Sequence, residues 1–157
     1  MALLQELGLK KPIVLLQHEA LLNVYYTASC LKKKADVFFA PFGLTDVQFN
    51  LLTLLYFQSG KEGGLSQAQI SDMMLVNRAN ITSLVDRMEK AGLVKRNAHS
   101  NDRRFNIIKL TAKGEKLFTK VEPLYIEQIR KVMSALNQAQ MKTLMGILEK
   151  VRQTLRV

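Results

Sequence analysis

Residues 66–96 read SQAQISDMMLVNRANITSLVDRMEKAGLVKR, and the way this stretch divides decides the fold. Ser66-x-x-Gln69 has the form of a capping box, in which a hydroxyl and a glutamine reciprocally satisfy the free amides of a helix start. A helix over Ser66–Met74 is therefore expected, followed by a turn through Leu75-Val76. A second helix over Asn77–Ala91 follows, with Asn77 where an N-cap is wanted. Gly92 comes after Lys90-Ala91 as a C′ residue would, with Leu93 beyond it for the apolar contact. On the second helix Ile81, Leu84, Val85 and Met88 share one face and can pack on the first.

That packing leaves Arg78, Asn80, Thr82, Ser83 and Arg87 available. Arginine pairs with guanine, asparagine with adenine and hydroxyls with either, so this polar set suits the edges of a base pair. The reading end of such a helix is its N-terminal part, where these residues crowd. Ser66 and Gln67 open the supporting helix, whose free N–H groups can take a backbone phosphate. Taken alone, the second helix is equally well read as a capped, solvated surface helix.

The next stretch, HSNDRRFNIIKLTAKG at 99–114, separates the two readings. Strands are expected at Val94–Asn97 and Phe105–Leu110, joined by a turn that carries Arg103 and Arg104. A hairpin tip is solvated, a poor place to gain stability and a good place to touch something. Helix-turn-helix followed by a two-stranded wing is a winged helix. Such a tip fits the minor groove, where the negative potential favours arginine. Asp102 either holds the tip in shape, by accepting from Arg104 or from turn amides, or is an ordinary turn-former.

Charge agrees with a polyanionic partner. The 157-residue chain has a net charge of +10, and residues 76–120 hold 11 of its 23 Lys and Arg against four of its 13 acids. Clustering of that kind marks a binding face rather than general solubility. One cysteine excludes an internal disulfide and favours a cytosolic setting. The N-terminus reads as no signal peptide, because His18 and Glu19 interrupt its apolar run. The uncharged runs are too short to cross a bilayer. A soluble protein of the bacterial or archaeal cytosol, associated with the nucleoid and not with membrane, is expected.

Outward from the centre, Pro41-Phe42-Gly43 breaks a long helix expected over Ile13–Phe39. Thr45-x-x-Gln48 opens a helix to Gln58, and a Gly-rich loop covers Ser59–Gly64. Thr111 caps a helix over Ala112–Leu136, which Pro123 should kink or displace unless local contacts absorb the lost hydrogen bond. Asn137-x-x-Gln140 opens the last helix, Gln138–Arg156. Its apolar residues Met141, Leu144, Leu148, Val151 and Leu155 recur at 3-4 spacing, and Leu117, Val121, Leu124, Ile129, Val132 and Leu136 do the same on the helix before. An intramolecular core could use either stripe. With the long first helix added, the surplus of apolar surface favours a homodimer of intertwined terminal helices.

The organisation is thus mainly α, in an α+β chain. An N-terminal dimerisation helix (1–40) precedes a winged helix-turn-helix region (44–112) and C-terminal dimerisation helices (113–157), all in one structural domain.

From Leu44 to Gly114 the sequence resembles the multiple-antibiotic-resistance regulator (MarR) family of transcription factors. The resemblance is carried by Leu93-Val94 followed by Arg96, by Asp102-Arg103-Arg104 and by Leu110-Thr111-x-x-Gly114. The family often has Asp-Pro before the wing motif, where this chain has Ser100-Asn101. The resemblance implies a homodimeric regulator, usually a repressor, that binds a pseudo-palindromic operator in double-stranded DNA. Helix 77–91 would lie in the major groove and wing 98–104 in the minor groove. Arg104 would then be the arginine that enters the minor groove and Asp102 the wing-shaping acid, with Asn77, Arg78, Asn80, Thr82 and Ser83 on the reading surface.

Relatives release DNA on binding a phenolic or anionic small molecule, or through a reactive cysteine. Tyr25, Tyr26 and Phe39 either line such a pocket or belong to the core. Cys30 reads as a small buried hydrophobe, with redox sensing the lesser alternative. No cofactor is implied, and His18 and His99 have no neighbours with which to bind a metal. No phosphate-cradling loop marks an enzyme, because Gly60 and Gly63-Gly64 lack a following Lys-Ser/Thr. The competing function is a winged-helix adaptor that contacts proteins, its basic charge incidental.

Overall fold

The structure, a computed structural model, describes residues 3–60, 63–74, 78–98 and 106–155. The chain forms two compact units, Met1–Phe118 and Thr119–Val157. In the first, α1 (Leu3–Glu6) and α2 (Leu16–Phe39) lead through a 3-10 turn at Ala40–Phe42 to α3 (Asp46–Gln58). Then come β1 (Leu65–Ser66), α4 (Gln67–Met74), α5 (Arg78–Lys90), β2 (Val94–Ala98) and β3 (Asn106–Leu110). Helix α6 (Ala112–Met133) runs from the first unit into the second, and α7 (Gln138–Gln153) completes it.

Three helix starts follow from their caps. At α3 the Gln48 N–H donates to Thr45 Oγ1 (3.3 Å) and the Thr45 N–H to Gln48 Oε1 (2.9 Å). Ser66 with Gln69 and Asn137 with Gln140 make the same reciprocal pair at α4 and α7. Each such cap is worth about 1 kcal/mol. Helix α2 begins three residues later than Ile13, with extended Leu15 before it and no side-chain cap. The β-branched pair Ile13-Val14, next to Pro12, resists a helical start. At the other end α6 stops at Met133 rather than Leu136, and α7 at Gln153 rather than Arg156. Pro123 neither ends α6 nor displaces its start.

The sheet has a strand that the sequence reading assigns to a helix start. Strand order is β1-β3-β2, all antiparallel, with Leu65 opposite Ile108 and Val94 opposite Leu110. Two residues are too short for an alternating pattern, so Ser66 shows only its capping role in the sequence. In the fold it both pairs with Ile107 and caps α4.

The core of the first unit joins these elements. Phe39 stacks on Phe49 (centroids 4.6 Å apart), Phe49 on Phe118 (5.6 Å), and Tyr56 leans on Phe118 at 4.5 Å. Around this spine Leu51, Leu52, Leu55, Ile70, Ile81, Leu84, Val85, Met88, Val94 and Ile108 are almost wholly enclosed. Each contributes about 1.5–3 kcal/mol on burial, before entropy is counted.

One small packing site ties the wing to α6. Thr111 Oγ1 donates to the carbonyl of Gly92 (2.7 Å) and accepts from the Gly114 N–H (3.0 Å). A Cβ on Gly114 would stand 2.0 Å from the Leu93 carbonyl oxygen, so only glycine fits. That is the physical content of Leu-Thr-x-x-Gly.

The second unit differs. Leu124, Ile126 and Ile129 of α6 and Leu144, Met145, Ile147 and Val151 of α7 are exposed, as is Leu155 beyond it. In the first unit α2 shows Leu16, Leu21, Val24, Tyr25, Leu31 and Val37 in the same way. Among the described residues no single helix is long and apolar enough to cross a membrane.

Candidate nucleic-acid interface

Helix α5 is fixed on one side only. Ile81, Leu84, Val85 and Met88 are buried at 2% exposure or less, the face that the 3-4 spacing assigns to packing. Its C-terminus is closed by a Schellman turn: Leu93 N–H donates to the Met88 carbonyl (2.9 Å) and Gly92 N–H to that of Glu89 (2.9 Å). Gly92 takes the left-handed conformation this needs, with φ 70°. The turn delivers the chain directly into β2, so the hairpin is rooted at the end of the candidate reading helix.

Opposite the buried stripe, Asn80, Thr82, Ser83, Asp86, Arg87 and Lys90 are all exposed. At about 100° per residue they do not form one row. Ser83, Asp86 and Lys90 run down the centre, Thr82 stands on one flank, and Asn80 and Arg87 stand on the other. Arg87 borders an open cleft of about 500 Å³, with Lys32 and Asp36 of α2, Thr45 and Gln48 at the head of α3, and Leu84. Ser83 therefore lies one turn from both Asn80 and Arg87, Thr82 stands apart on the opposite flank, and Arg87 is set towards α2 and α3.

At α4, Gln67 is the first helical residue, and the Ser66 hydroxyl is occupied by the Gln69 amide. Arg78 is the first residue of α5. Its side chain, together with Asn77, Asp102, Arg103 and Arg104, lies outside the described residues. So does His99. The strands on either side end at Ala98 and Asn106, which pair with each other.

Sequence reasoning missed one cluster. Arg96, on β2, donates through Nη1 to Glu89 and through Nη2 to Asp86, both on α5. Its backbone N–H donates to Glu89 Oε1 at 2.9 Å. Burial works to lower the pKa of this guanidinium, but the hydrogen bonds to Asp86 and Glu89 outweigh it and hold the pKa above its ordinary value. Arg96, like any arginine, stays a cation. The available signal was a basic residue two places after Leu93-Val94, with two acids one helical turn apart upstream. Nearby, Asn97 Oδ1 is buried with no hydrogen-bond partner among the described residues.

Phe39 belongs to the core rather than to a pocket, whereas Tyr25 is 63% exposed. Cys30 is exposed, which overturns its reading as a buried hydrophobe. Nothing in the sequence around it reveals this, because α2 is apolar on several faces. The Tyr26 phenol bonds to Cys30. Its pKa is raised, chiefly by electrostatic interaction with Cys30, then by burial and by Glu6. Among the described residues no three His, Cys, Asp or Glu side chains gather into a metal site.

Comparison with known proteins places this geometry. Residues 42–104 match the sequence model of the MarR family. The HTH-type transcriptional regulator BilQ of Clostridium symbiosum is 34% identical over 105 residues, covering 66% of this chain and 73% of its own. The fold is shared with AbsC, a MarR family transcriptional regulator from Streptomyces coelicolor. There the TM-score is 0.81 at 20% identity, over 93% of this chain and 99% of that one. It is also shared with MepR in the S. aureus MepR-DNA complex, at a TM-score of 0.76 and 23% identity, over 85% and 94% of the two chains.

Proposed function

The chain belongs to the MarR family of transcriptional regulators, and from that premise we propose that it is a homodimeric, sequence-specific binder of double-stranded DNA. Two copies bind a pseudo-palindromic operator, with half-sites about one helical turn, roughly 34 Å, apart. Helix α5 enters the major groove with Asn77, Arg78, Asn80, Thr82 and Ser83, and Arg87 contributes from its flank. The wing of residues 98–104 enters the minor groove through Arg104, with Arg103 beside it and Asp102 shaping the tip. Ser66 and Gln67 bring the head of α4 to a phosphate. The protein acts as a repressor in the cytosol and is released by a phenolic or anionic small molecule.

The observation that carries this reading is the one-sided burial of α5. Its apolar face is consumed by the core while a face rich in Asn, Thr, Ser and Arg stays open beside a hairpin, in the most basic part of the chain. A solvated surface helix needs neither the hairpin nor the charge. Apolar side chains left open on α2, α6 and α7 support the dimer.

Selection of bound duplexes from a random pool tests the proposal, followed by salt titration of the winner. Binding should weaken with a log–log slope of about −0.9 per phosphate neutralised. Arg104→Ala should cost about 1–3 kcal/mol on that duplex. A flat salt dependence with no selected sequence would instead favour a protein-binding adaptor.

A further inference from the structure

Two carboxylates, Asp86 and Glu89, sit on the helix that carries the candidate reading face, in a stretch otherwise strongly basic. Towards a polyanion each is unfavourable. Both are engaged by one residue from outside the helix. Arg96 gives one guanidinium nitrogen to each acid and its backbone N–H to Glu89. The guanidinium fork is planar and rigid, and its two targets lie at i and i+3, one turn apart.

Stability does not explain the arrangement. The three side chains are 23%, 49% and 37% exposed, and pairs this open to water add little to folding. Geometry does. The buried stripe of α5 sets which face is inward, but rolling by a few degrees changes those contacts little. A roll of about 10° moves a side-chain tip some 6 Å from the helix axis by about 1 Å. That is enough to lose a hydrogen bond to a base edge. Thr82 lies on the same strip as the two acids, at i, i+4 and i+7, and Ser83 is three residues before Asp86.

We infer that Arg96, Asp86 and Glu89 form a positioning clamp that sets the rotation of α5 relative to the β2–β3 hairpin, and with it sequence discrimination. Arg96 acts through the two acids and does not itself take a phosphate. This rests on the DNA-binding reading above.

The test compares the full-length protein with Asp86→Asn/Glu89→Gln, Arg96→Gln and Arg96→Lys. Each is titrated with the duplex selected from a random pool and with a scrambled duplex of equal length, across salt. Removing two acids makes the protein more positive, so simple electrostatics predicts tighter binding to both duplexes at an unchanged ratio. The clamp predicts the opposite for discrimination: the selected-to-scrambled ratio falls roughly three- to tenfold, while scrambled binding holds or tightens. Arg96→Gln should lower the ratio similarly with the salt slope unchanged, and Arg96→Lys should restore it in part, since an ammonium reaches one acid but cannot fork. Tighter binding at a constant ratio overturns the inference. So does a slope reduced by about one phosphate for Arg96→Gln with both duplexes equally weakened, which makes Arg96 a phosphate contact. If the double variant does not fold, Asp86→Asn alone, the more exposed acid, carries the same comparison. A wild-type protein that prefers no duplex fails the DNA reading itself, a result distinct from either of these.

Discussion

The lobe built from α3, α4, α5 and the sheet encloses most of its large apolar side chains, with Val47, Tyr56, Phe57 and Met73 the exposed ones, whereas the terminal helices leave most of theirs open. Phe49, Leu51, Leu52, Ile70, Ile81 and Ile108 are at most 2% exposed. Ile129, Ile147 and Val151, of the same chemical kind, are 44%, 54% and 43% exposed. Hydropathy is similar and burial is not. The difference teaches that an apolar stripe states a need for a partner without naming it. In the lobe the partner is another element of the same chain; in the terminal helices it is, on the reading above, a second copy.

That contrast can be broken most forcefully at its open side. Ile129→Asp with Ile147→Asp should yield a monomer by sedimentation and cut operator affinity by about 100-fold or more, because two linked contacts become one. An unchanged dimer would show that these side chains face nothing. On the enclosed side, Gly114→Ala drives a Cβ into the Leu93 carbonyl and should cost about 2 kcal/mol in denaturant unfolding. The difference from wild type should be the same at every protein concentration.

The sharpest comparison uses one chemical change in both regions. Thr45→Ala and Asn137→Ala each remove a capping box and should each cost about 1 kcal/mol. The first should leave the concentration dependence of melting at the wild-type level. The second should steepen it, because α7 gains its stability from association. Equal behaviour of the two would erase the distinction. Smallest of all, Cys30→Ser changes one exposed atom on α2 and should shift stability by less than about 0.5 kcal/mol, read by thermal melting.

Much of this was legible in the chain. The capping boxes at Thr45, Ser66 and Asn137 placed three helix starts, and Lys90-Ala91-Gly92-Leu93 placed the end of α5, because caps are local hydrogen bonds between near neighbours. The packing face of α5 followed from 3-4 spacing alone. Resemblance, rather than periodicity, singled out Leu93-Val94-x-Arg96 and Leu110-Thr111-x-x-Gly114.

What eluded the sequence was non-local. Strand β1 is two residues long and exists only because β3 lies beside it. Arg96 meets Asp86 and Glu89 only after the Gly92 turn folds β2 back along α5, and Arg87 parts from Thr82 only on a formed helix. Cys30 is exposed because no part of the first unit covers that side of α2. Local hydrogen bonding and side-chain period are written residue by residue, so the sequence by itself determined the elements and their inward faces. Which polar groups meet across elements, and which apolar ones stay uncovered, depends on how those elements pack, and only the tertiary structure decided that.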